Sequence, residues 1–206
     1  MPGPLAGLAL VIGAFLIGAI PWGFIAGKAT GGVDLRTVGS GSTGATNVLR
    51  TLGMKASALV LVLDFLKGLL VVVLMRVSGF GGGWEAVAGV AVVIGHCWSP
   101  FIGFRGGKGV ATGAGAAMAL FPPVMLAIPF VAAIVWTTKY VSLGSLVFAA
   151  IIAAGGIVAA ATDRLSWPSA FAFVAIAAII GARHEENLRR LRNGTERRLG
   201  DAIPAR

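Results

Sequence analysis

The chain has 206 residues, of which 57% are hydrophobic and only 12% charged, and its formal net charge is +9. A soluble domain is normally about one quarter charged, so the composition excludes an ordinary soluble protein and predicts one membrane domain over residues 1–206. The basic balance would also suit a nucleic-acid binder. The sequence has no soluble basic domain with interleaved aromatic residues, however, so we expect no nucleic-acid partner.

Seven apolar segments are long enough, or nearly so, to cross a bilayer as helices. Residues 1–4 lack the basic stretch of a signal peptide, so we expect the first segment to stay in the protein. The fourth and fifth segments are short and are joined only by Pro122-Pro123. The predicted fold class is therefore all-α, a polytopic integral membrane protein with seven transmembrane helices, some of them short. The segments are 5–26, 57–77, 86–102, 110–121, 123–138, 143–162 and 167–182.

The lysines and arginines predict the orientation, because basic residues in short loops stay on the cytoplasmic side. Of the 17 basic residues, most lie in the loops after spans one, three and five or in the C-terminal tail. The opposite loops contain only Arg76 and Arg164. We therefore expect the N-terminus outside and the C-terminus in the cytoplasm. Merging spans four and five would place the arginine-rich tail outside, which favours seven spans.

Three less common residue types fall inside the predicted spans. Asp64 and Lys67 lie three residues apart on one helical face and should form an ion pair. That pair is either purely structural or supports one of the polar loops from behind. The single cysteine, Cys97, allows no internal disulfide and is expected to be a buried thiol. The 31 glycines predict close approach of helix backbones.

The first predicted cytoplasmic loop, 36–55, contains a glycine- and hydroxyl-rich run followed by Arg50. The run satisfies the dinucleotide pattern G-x-G-x-x-G, but that pattern requires a βαβ unit and here the flanks are membrane helices. Glycines allow backbone N–H groups to converge on an anion, and a following helix N-terminus favours negative charge. Arg50 can bind phosphate oxygens in a bidentate manner. The candidate ligands are Gly39, Ser40, Gly41, Gly44, Thr46, Asn47 and Arg50.

The second loop, 103–109, is a short basic turn that opens a helix. It is not a Walker loop, because Ile102 and Gly109 occupy positions where that pattern requires other residues. A phosphate-binding turn and a basic loop that only fixes topology both remain open. His96, just before this loop, is expected to make a structural hydrogen bond. The candidate ligands are Arg105, Gly106, Gly107, Lys108 and Gly109.

The third polar segment, 183–200, follows the last span. His184 and Asn187 are three residues apart, so a continuing helix would point both side chains the same way. They are either surface residues or part of a site. Leu188 and Leu191, among arginines, also suit a helix that rests on anionic lipid.

Together these loops resemble the motifs of the bacterial acyl-phosphate:glycerol-3-phosphate acyltransferase family, known as PlsY. The matching stretches are G-S-G-x-x-G-A-T-N-x-x-R at 39–50, G-H-x-x-S-P-F at 95–101, R-G-G-K-G-V-A-T at 105–112, and R-H-x-x-N through G-T-E at 183–196. The resemblance covers nearly the whole chain. One departure is Ser42, where the family often has asparagine, which puts a contact from that side chain in doubt.

The resemblance implies transfer of a fatty acyl group from acyl phosphate to the 1-hydroxyl of glycerol 3-phosphate, giving lysophosphatidic acid and inorganic phosphate. This would be the first acylation step of phospholipid synthesis. It implies roles around the phosphates and the acceptor hydroxyl for the candidate ligands above, and a bracing role for Glu196. Either Ser142 or Ser145 is expected to reach the site. The residues with implied catalytic roles are Ser40, Arg50, Lys108, His184 and Asn187.

The chemistry expected from these residues needs no cofactor. His96 and His184 are the only histidines, and neither has zinc-ligand spacing, so we expect no metal site. Ser40 has no base fixed near it by sequence, so direct transfer is favoured over a covalent intermediate. Either His184 or the acyl phosphate's own oxygen accepts the hydroxyl proton.

Two other functions share part of this pattern, a phosphate-ester transporter and a lipid-binding scaffold. A transporter of the repeat type is disfavoured because the sequence shows no internal repeat and its charges crowd one face. A scaffold leaves the ordered glycine loops unexplained. We expect a monomer in the bacterial plasma (inner) membrane, in contact with membrane lipid, with its active site on the cytoplasmic face.

Overall fold

The computed structural model describes residues 3–201, and over that range the chain forms helices and loops without a strand. Short 3-10 turns at Pro100–Ile102 and Pro122–Leu126 follow the fifth and sixth helices. The helices are α1 (Pro4–Ala19), α2 (Trp22–Gly31), α3 (Ala45–Leu52), α4 (Met54–Val77), α5 (Gly83–Cys97), α6 (Val110–Leu120), α7 (Ala127–Thr138), α8 (Val141–Ala161), α9 (Trp167–Arg183) and α10 (Glu185–Arg192).

Each of the seven predicted segments is helical, but they differ in length. Four units are long and apolar enough to cross a membrane: Pro4–Gly31, Met54–Val77, Gly83–Ile102 and Val141–Ala161. A fifth unit, α9 with α10, is bent by 61°. At about 1.5 Å per residue, the 11 residues of α6 cover only about half of a ~30 Å hydrocarbon core. The chain is thus an all-helical membrane protein with four to five long units and two shorter apolar ones.

The predicted first span, 5–26, is wrong as a single helix, because the helix breaks between α1 and α2 at Ile20 and Pro21. Pro21 has no N–H to donate to the carbonyl of Ile17, and its ring crowds the preceding turn. α2 follows the break and leads to the first polar loop.

Breaking a helix inside an apolar bundle frees backbone carbonyl groups, which other helices must satisfy. The Oγ of Ser99 donates to the carbonyl of Ala19 at 2.6 Å, and the Nζ of Lys67 donates to the carbonyl of Ile20 at 3.0 Å. Lys67 also pairs with Asp64 at 2.9 Å, which confirms the predicted ion pair. The buried lysine therefore joins α4 to the broken end of α1.

A continuous helix from the last span through His184 is also wrong. α9 ends at Arg183, and His184 leaves helical geometry before α10 starts. The Nδ1 of His184 lies 2.8 Å from the carbonyl of Ile180, and the N–H of Leu188 donates to the carbonyl of His184 at 2.8 Å. His184 therefore terminates one helix and begins the next, so the three-residue spacing to Asn187 still places both side chains on one side.

Glycines bring two helix pairs into backbone contact, as predicted. A Cβ at Gly18 or Gly95 would collide with the facing backbone between α1 and α5. The same holds for Gly68 and Gly115 between α4 and α6. These contacts hold α1 against α5 and α4 against α6; the first polar loop leads into α4 and the second follows α5.

Candidate active site

The polar loops meet at one end of the helix bundle. Arg36 in the first loop donates through NH1 to the carbonyl of Ile102, beside the second loop, at 3.1 Å. In the tail, the N–H of Leu199 donates to the carbonyl of Lys139, just after α7, at 2.7 Å. Segments separated by sixty residues or more are therefore held together by direct hydrogen bonds.

A cavity of about 630 Å³ lies between these loops and extends among α4, α7 and α8. Its polar wall consists of Ser40, Ser42, Thr46, Asn47, Arg50, Asp64, His96, Lys108, Ser142, Ser145, His184, Asn187, Arg190, Glu196 and Arg197. Its apolar wall consists of Leu61, Val62, Phe65, Leu66, Ile128, Val131, Ala132, Val135 and Phe148. One continuous space thus joins a cation-rich mouth to an apolar slot.

The apolar slot opens through the side of the bundle. Leu61, Val62 and Ile128 line the slot, yet they remain 50%, 52% and 48% exposed. These exposed faces of α4 and α7 lie along apolar helix surfaces, where lipid tails would surround the protein. A long hydrocarbon chain therefore has a lateral route to the polar mouth.

Asn47 organises the first loop from within. Its side chain is buried, and its Nδ2 lies 3.2 Å, 3.1 Å and 2.9 Å from the carbonyl oxygens of Leu35, Val38 and Ser42. Its Oδ1 accepts the N–H of Ser40 at 3.0 Å. We predicted Asn47 as a substrate ligand, but its amide is engaged inside the loop, which it shapes around Ser40.

Two glycines of this loop also act on its shape. Gly39 and Gly41 have φ angles of 59° and 69°, and a Cβ at Gly39 would collide with the Oδ1 of Asn47. Neither is among the cavity-lining residues, whereas Gly44 and Thr46 at the start of α3 are. The predicted helix N-terminus therefore does face the cavity.

Arg50 links α3 to the tail. Its NH2 donates to the carbonyl oxygens of Arg197 at 3.3 Å and Arg198 at 3.4 Å. Its Nε is buried and makes no hydrogen bond to any of the described residues. Burial and the neighbouring Arg197 lower the pKa of Arg50, but an arginine remains cationic at neutral pH. Arg50 therefore has an unused donor beside the cavity.

A hydrogen-bonded chain joins the second loop to the tail. The Nζ of Lys108 donates to the Oδ1 of Asn187 at 2.5 Å, and the Nδ2 of Asn187 donates to the Oε1 of Glu196 at 2.6 Å. The Nε of Arg190 donates to the Oε2 of Glu196 at 2.7 Å. Because lysine only donates and carboxylate only accepts, these partners fix which way the amide of Asn187 points. Glu196 therefore accepts hydrogen bonds from both Asn187 and Arg190.

The charged groups of this hydrogen-bonded chain alter one another's pKa values. Burial, followed by repulsion from Arg190, lowers the pKa of Lys108 to about 8. Burial opposes ionisation of Glu196, but hydrogen bonds from Arg190 and Asn187 outweigh it and lower the pKa of that carboxyl. Lys108 is therefore only partly protonated above pH 8, while Glu196 stays ionised at neutral pH.

His184 is buried in the cavity wall in a defined tautomer. Its Nδ1 must carry the proton, because the carbonyl of Ile180 can only accept. Burial, followed by repulsion from Lys108, lowers the pKa of His184 to about 4. At neutral pH the ring is uncharged, and its Nε2 presents a lone pair.

The cavity brings together most of the predicted site residues. Arg105 is exposed away from the cavity, and Gly106 and Gly107 lie behind it. Both Ser142 and Ser145 line the cavity, but the Oγ of Ser145 donates to a carbonyl of its own helix at 2.9 Å. The predicted residues that line it are Ser40, Gly44, Thr46, Asn47, Arg50, Lys108, Gly109, Ser142, Ser145, His184, Asn187 and Glu196.

Two cations of the cavity wall, Arg190 and Arg197, were not predicted from the sequence, and the contact made by the hydroxyl group of Ser42 was left open. Arg190 lies three residues after Asn187 on the same helix, and that spacing was a signal for its position. Arg197 lies in a non-helical segment, where no periodicity places a side chain. Ser42 lines the cavity, but its Oγ accepts the N–H of Gly44 at 3.3 Å.

The fold and the cavity define an integral membrane protein in which a cationic mouth adjoins a slot for a hydrocarbon chain. Comparison with known proteins then gives the family. A sequence model described as glycerol-3-phosphate acyltransferase matches residues 8–194. The chain belongs to the glycerol-3-phosphate acyltransferase family.

Relatives from two bacteria cover almost the entire chain. The glycerol-3-phosphate acyltransferase 1 of Deinococcus radiodurans is 47% identical and aligns over 95% of this chain and 96% of its own. The glycerol-3-phosphate acyltransferase of Halalkalibacterium halodurans is 44% identical over 94% and 96% of the two chains.

Solved structures agree with this assignment. The glycerol 3-phosphate form of PlsY, an integral membrane glycerol 3-phosphate acyltransferase, superposes with a TM-score of 0.86 at 40% identity, over 95% of this chain and 96% of that one. Its lysophosphatidic acid form gives a TM-score of 0.83 at 38% identity, over 94% and 95%.

The lowered pKa of Lys108 predicts how phosphate binding depends on pH. Affinity for glycerol 3-phosphate should be highest between about pH 6, where the phosphate becomes dianionic, and about pH 8, where Lys108 loses its proton. Isothermal titration calorimetry from pH 6 to 10 checks this. Lys108→Arg should hold its affinity above pH 8, because arginine stays charged. A dissociation constant for the unaltered protein that is flat from pH 7 to 9.5 contradicts the assignment.

Glu196 and Glu186 offer a matched test of the bracing contacts. Glu196→Gln replaces an acceptor with an amide that cannot accept from both Asn187 and Arg190, so affinity for glycerol 3-phosphate should fall about tenfold. Glu186 contacts the same Arg190 at 2.8 Å but is 66% exposed, so Glu186→Gln should change affinity by well under about 1 kcal/mol. Equal losses in the two variants would show that the hydrogen-bonded chain has no special role.

Proposed function

We propose that the protein is an acyl-phosphate:glycerol-3-phosphate 1-O-acyltransferase that makes 1-acyl-glycerol 3-phosphate and inorganic phosphate, the first acylation step of phospholipid synthesis. The observation that carries the proposal is the single cavity in which a cationic mouth meets a laterally open apolar slot. Such a space suits a donor that has both a phosphate and a long tail, together with a small phosphate-bearing acceptor. The glycerol 3-phosphate and lysophosphatidic acid forms of the solved relatives support the acceptor and the product.

The reaction joins the 1-hydroxyl oxygen of glycerol 3-phosphate to the carbonyl carbon of the acyl phosphate and breaks the bond from that carbon to the phosphate oxygen. Phosphate leaves with the bonding electron pair. An acyl phosphate is already an activated anhydride, so the protein need only align the groups and stabilise the charges. We assign phosphate binding to Arg50 and Lys108, with the start of α3 adding its amide donors. Ser40 acts as a donor at the cavity wall and forms no covalent intermediate.

The proton of the hydroxyl has two possible acceptors. The Nε2 of His184 has a free lone pair in the cavity wall, and a bound dianion would raise the low pKa of this histidine. The departing phosphate oxygen is the other acceptor. The geometry supports His184 as the group that orients or deprotonates the hydroxyl, with Asn187 holding Lys108 beside it.

We also propose that all seven apolar segments enter the membrane, with the N-terminus outside and the C-terminus in the cytoplasm of a bacterial cell. The loop after α5 and the loop after α7 lie at the same end, since the tail contacts both. α6 and α7 must therefore run away from that end and back again, despite their length. The basic residues at this end support a cytoplasmic active site in the plasma membrane. We also propose a monomer as the working unit, since the cationic mouth and the apolar slot are both formed by residues of a single chain.

The function is tested with the purified protein in detergent, where no gradient exists. Palmitoyl phosphate and glycerol 3-phosphate should give lysophosphatidic acid and phosphate in equal amounts, and palmitoyl-CoA should give none. Arg50→Ala should abolish the dependence of the rate on glycerol 3-phosphate, because it removes a hydrogen-bond donor for the phosphate group at the cavity wall. Turnover with the thioester alone would refute the acyl-phosphate donor. Absence of turnover with either donor would refute the proposed function.

The role of His184 is tested by His184→Ala under the same conditions. If Nε2 accepts the proton, kcat should fall by about 10²–10⁴ with little change in KM for palmitoyl phosphate. Leu188→Ala, on the exposed side of α10, should leave kcat unchanged. A kcat close to that of the unaltered protein would assign the proton to the phosphate oxygen instead.

A further inference from the structure

The turn that presents Lys108 rests on the end of α5. The N–H of Gly106 donates to the carbonyl of Cys97 at 3.2 Å, and the N–H of Gly107 donates to the carbonyl of His96 at 3.1 Å. A Cβ at Gly106 would collide with the same carbonyl of His96. The backbone of the turn is therefore in van der Waals contact with the helix beneath it.

The carbonyl groups of the same turn face a different partner. The Nε of Arg183 donates to the carbonyl of Gly107 at 3.2 Å, and its NH2 donates to that of Gly106 at 3.3 Å. The guanidinium lies 5.5 Å from the ring centroid of Trp98. The turn is thus held on one side by α9 and on the other by α5.

A buried charged cluster stands directly under the turn, and two of its members, Asp64 and His96, also line the cavity. A Cβ at Gly107 would collide with the Nε2 of His96, so the imidazole fills the space under that residue. The Nδ1 of His96 lies 3.4 Å from the Oδ1 of Asp64. Asp64, Lys67 and His96 are only 2%, 5% and 6% exposed, and Lys67 is fixed in turn by the carbonyl of Ile20.

Buried charges among apolar helices cost free energy, and they are kept where they meet a specific need. The proposed chemistry does not use this cluster. Lys67 has an evident need, because it satisfies the broken end of α1 and neutralises Asp64. Asp64 and His96 have no such evident need, but the imidazole of His96 lies against the turn and its Nδ1 is 3.4 Å from the Oδ1 of Asp64.

We propose that Asp64 and His96 are positioning residues for the transfer reaction: Asp64 orients His96, and His96 supports the Gly106–Gly107 turn, so that Lys108 reaches Asn187 at the phosphate site. This inference rests on the proposed function for the reaction that is measured. The contacts that support it are those between His96 and the Gly106–Gly107 turn. Asp64 and His96 act through Lys108.

Losing this support has two consequences for Lys108. First, the side chain of Lys108 would move away from Asn187, which would weaken phosphate binding. Second, its ammonium group would gain contact with water. Its charged neighbours are Arg183, Arg190, Glu186 and Glu196, and His184 also faces it. Since burial is the largest cause of its low pKa, hydration would raise that pKa from about 8 toward the ordinary value of lysine. A merely structural role for the cluster would produce neither change.

The test compares His96→Phe, which keeps a ring but removes both nitrogens, with the unaltered protein in the detergent assay. KM for glycerol 3-phosphate should rise about tenfold, within the range that a displacement of about 1 Å causes. The alkaline limb of kcat/KM should shift to higher pH. His96→Gln, which can still donate to Asp64, should recover part of both properties. Val92→Ala, fully buried on the same helix, should lower stability and leave KM and the alkaline limb unchanged.

A second variant keeps the test decisive if His96→Phe does not fold. Asp64→Asn combined with Lys67→Met leaves no unpaired buried charge, and it should reproduce the rise in KM and the shifted limb. If the folded variants keep both KM and the alkaline limb of the kcat/KM profile unchanged, the positioning role is overturned. A raised KM with an unshifted alkaline limb would also overturn it, because that result indicates direct contact with the substrate. Activity of the unaltered protein, together with its loss in Lys108→Ala, separates these outcomes from failure of the proposed function.

Discussion

The hydrogen bond between Lys108 and Asn187 joins two segments 79 residues apart, and the polar end of the molecule depends on it. Keeping a lysine charged when it is largely buried near other cations costs free energy. The ammonium group therefore needs a partner that accepts a hydrogen bond and brings no further positive charge. Asn187 supplies that acceptor because Glu196 holds its other end. The carboxylate also balances Arg190. The mouth of the cavity therefore stays positively charged, and the contacts with Asn187 and Glu196 offset the repulsion between its cations.

The apolar bundle is arranged to bring these loops to one place. Glycine contacts pull α1 against α5 and α4 against α6, which leaves no room for side chains between the backbones. Pro21 then breaks the first long unit, and the freed carbonyl groups are satisfied by Ser99 and Lys67. α2 follows the break and leads into the first polar loop, whose Ser40 lines the cavity.

The cavity connects two solvents. In the proposed function, phosphate groups and glycerol would reach the cavity from water, and a fatty chain would reach it from lipid through the half-exposed wall at Leu61, Val62 and Ile128. The carbonyl group of the proposed donor would then lie at the boundary, next to His184 and Lys108. Alignment at that boundary would provide most of the chemistry that an activated acyl donor requires. The neutral form of His184 follows from the same location, because burial beside a lysine disfavours a second positive charge.

The sequence by itself determined the helices, the three polar motifs and the Asp64–Lys67 pair, because hydrophobic runs and three-residue spacings are local properties of the chain. The break at Pro21 could also have been predicted from the sequence, since a proline inside a helix removes a backbone hydrogen-bond donor wherever it occurs. Only the tertiary structure decided that Asn47 shapes its own loop, that Arg197 reaches the cavity, and that His96 lies under Gly107. These placements depend on which distant segments touch, and side-chain spacing along one helix does not specify contacts between helices.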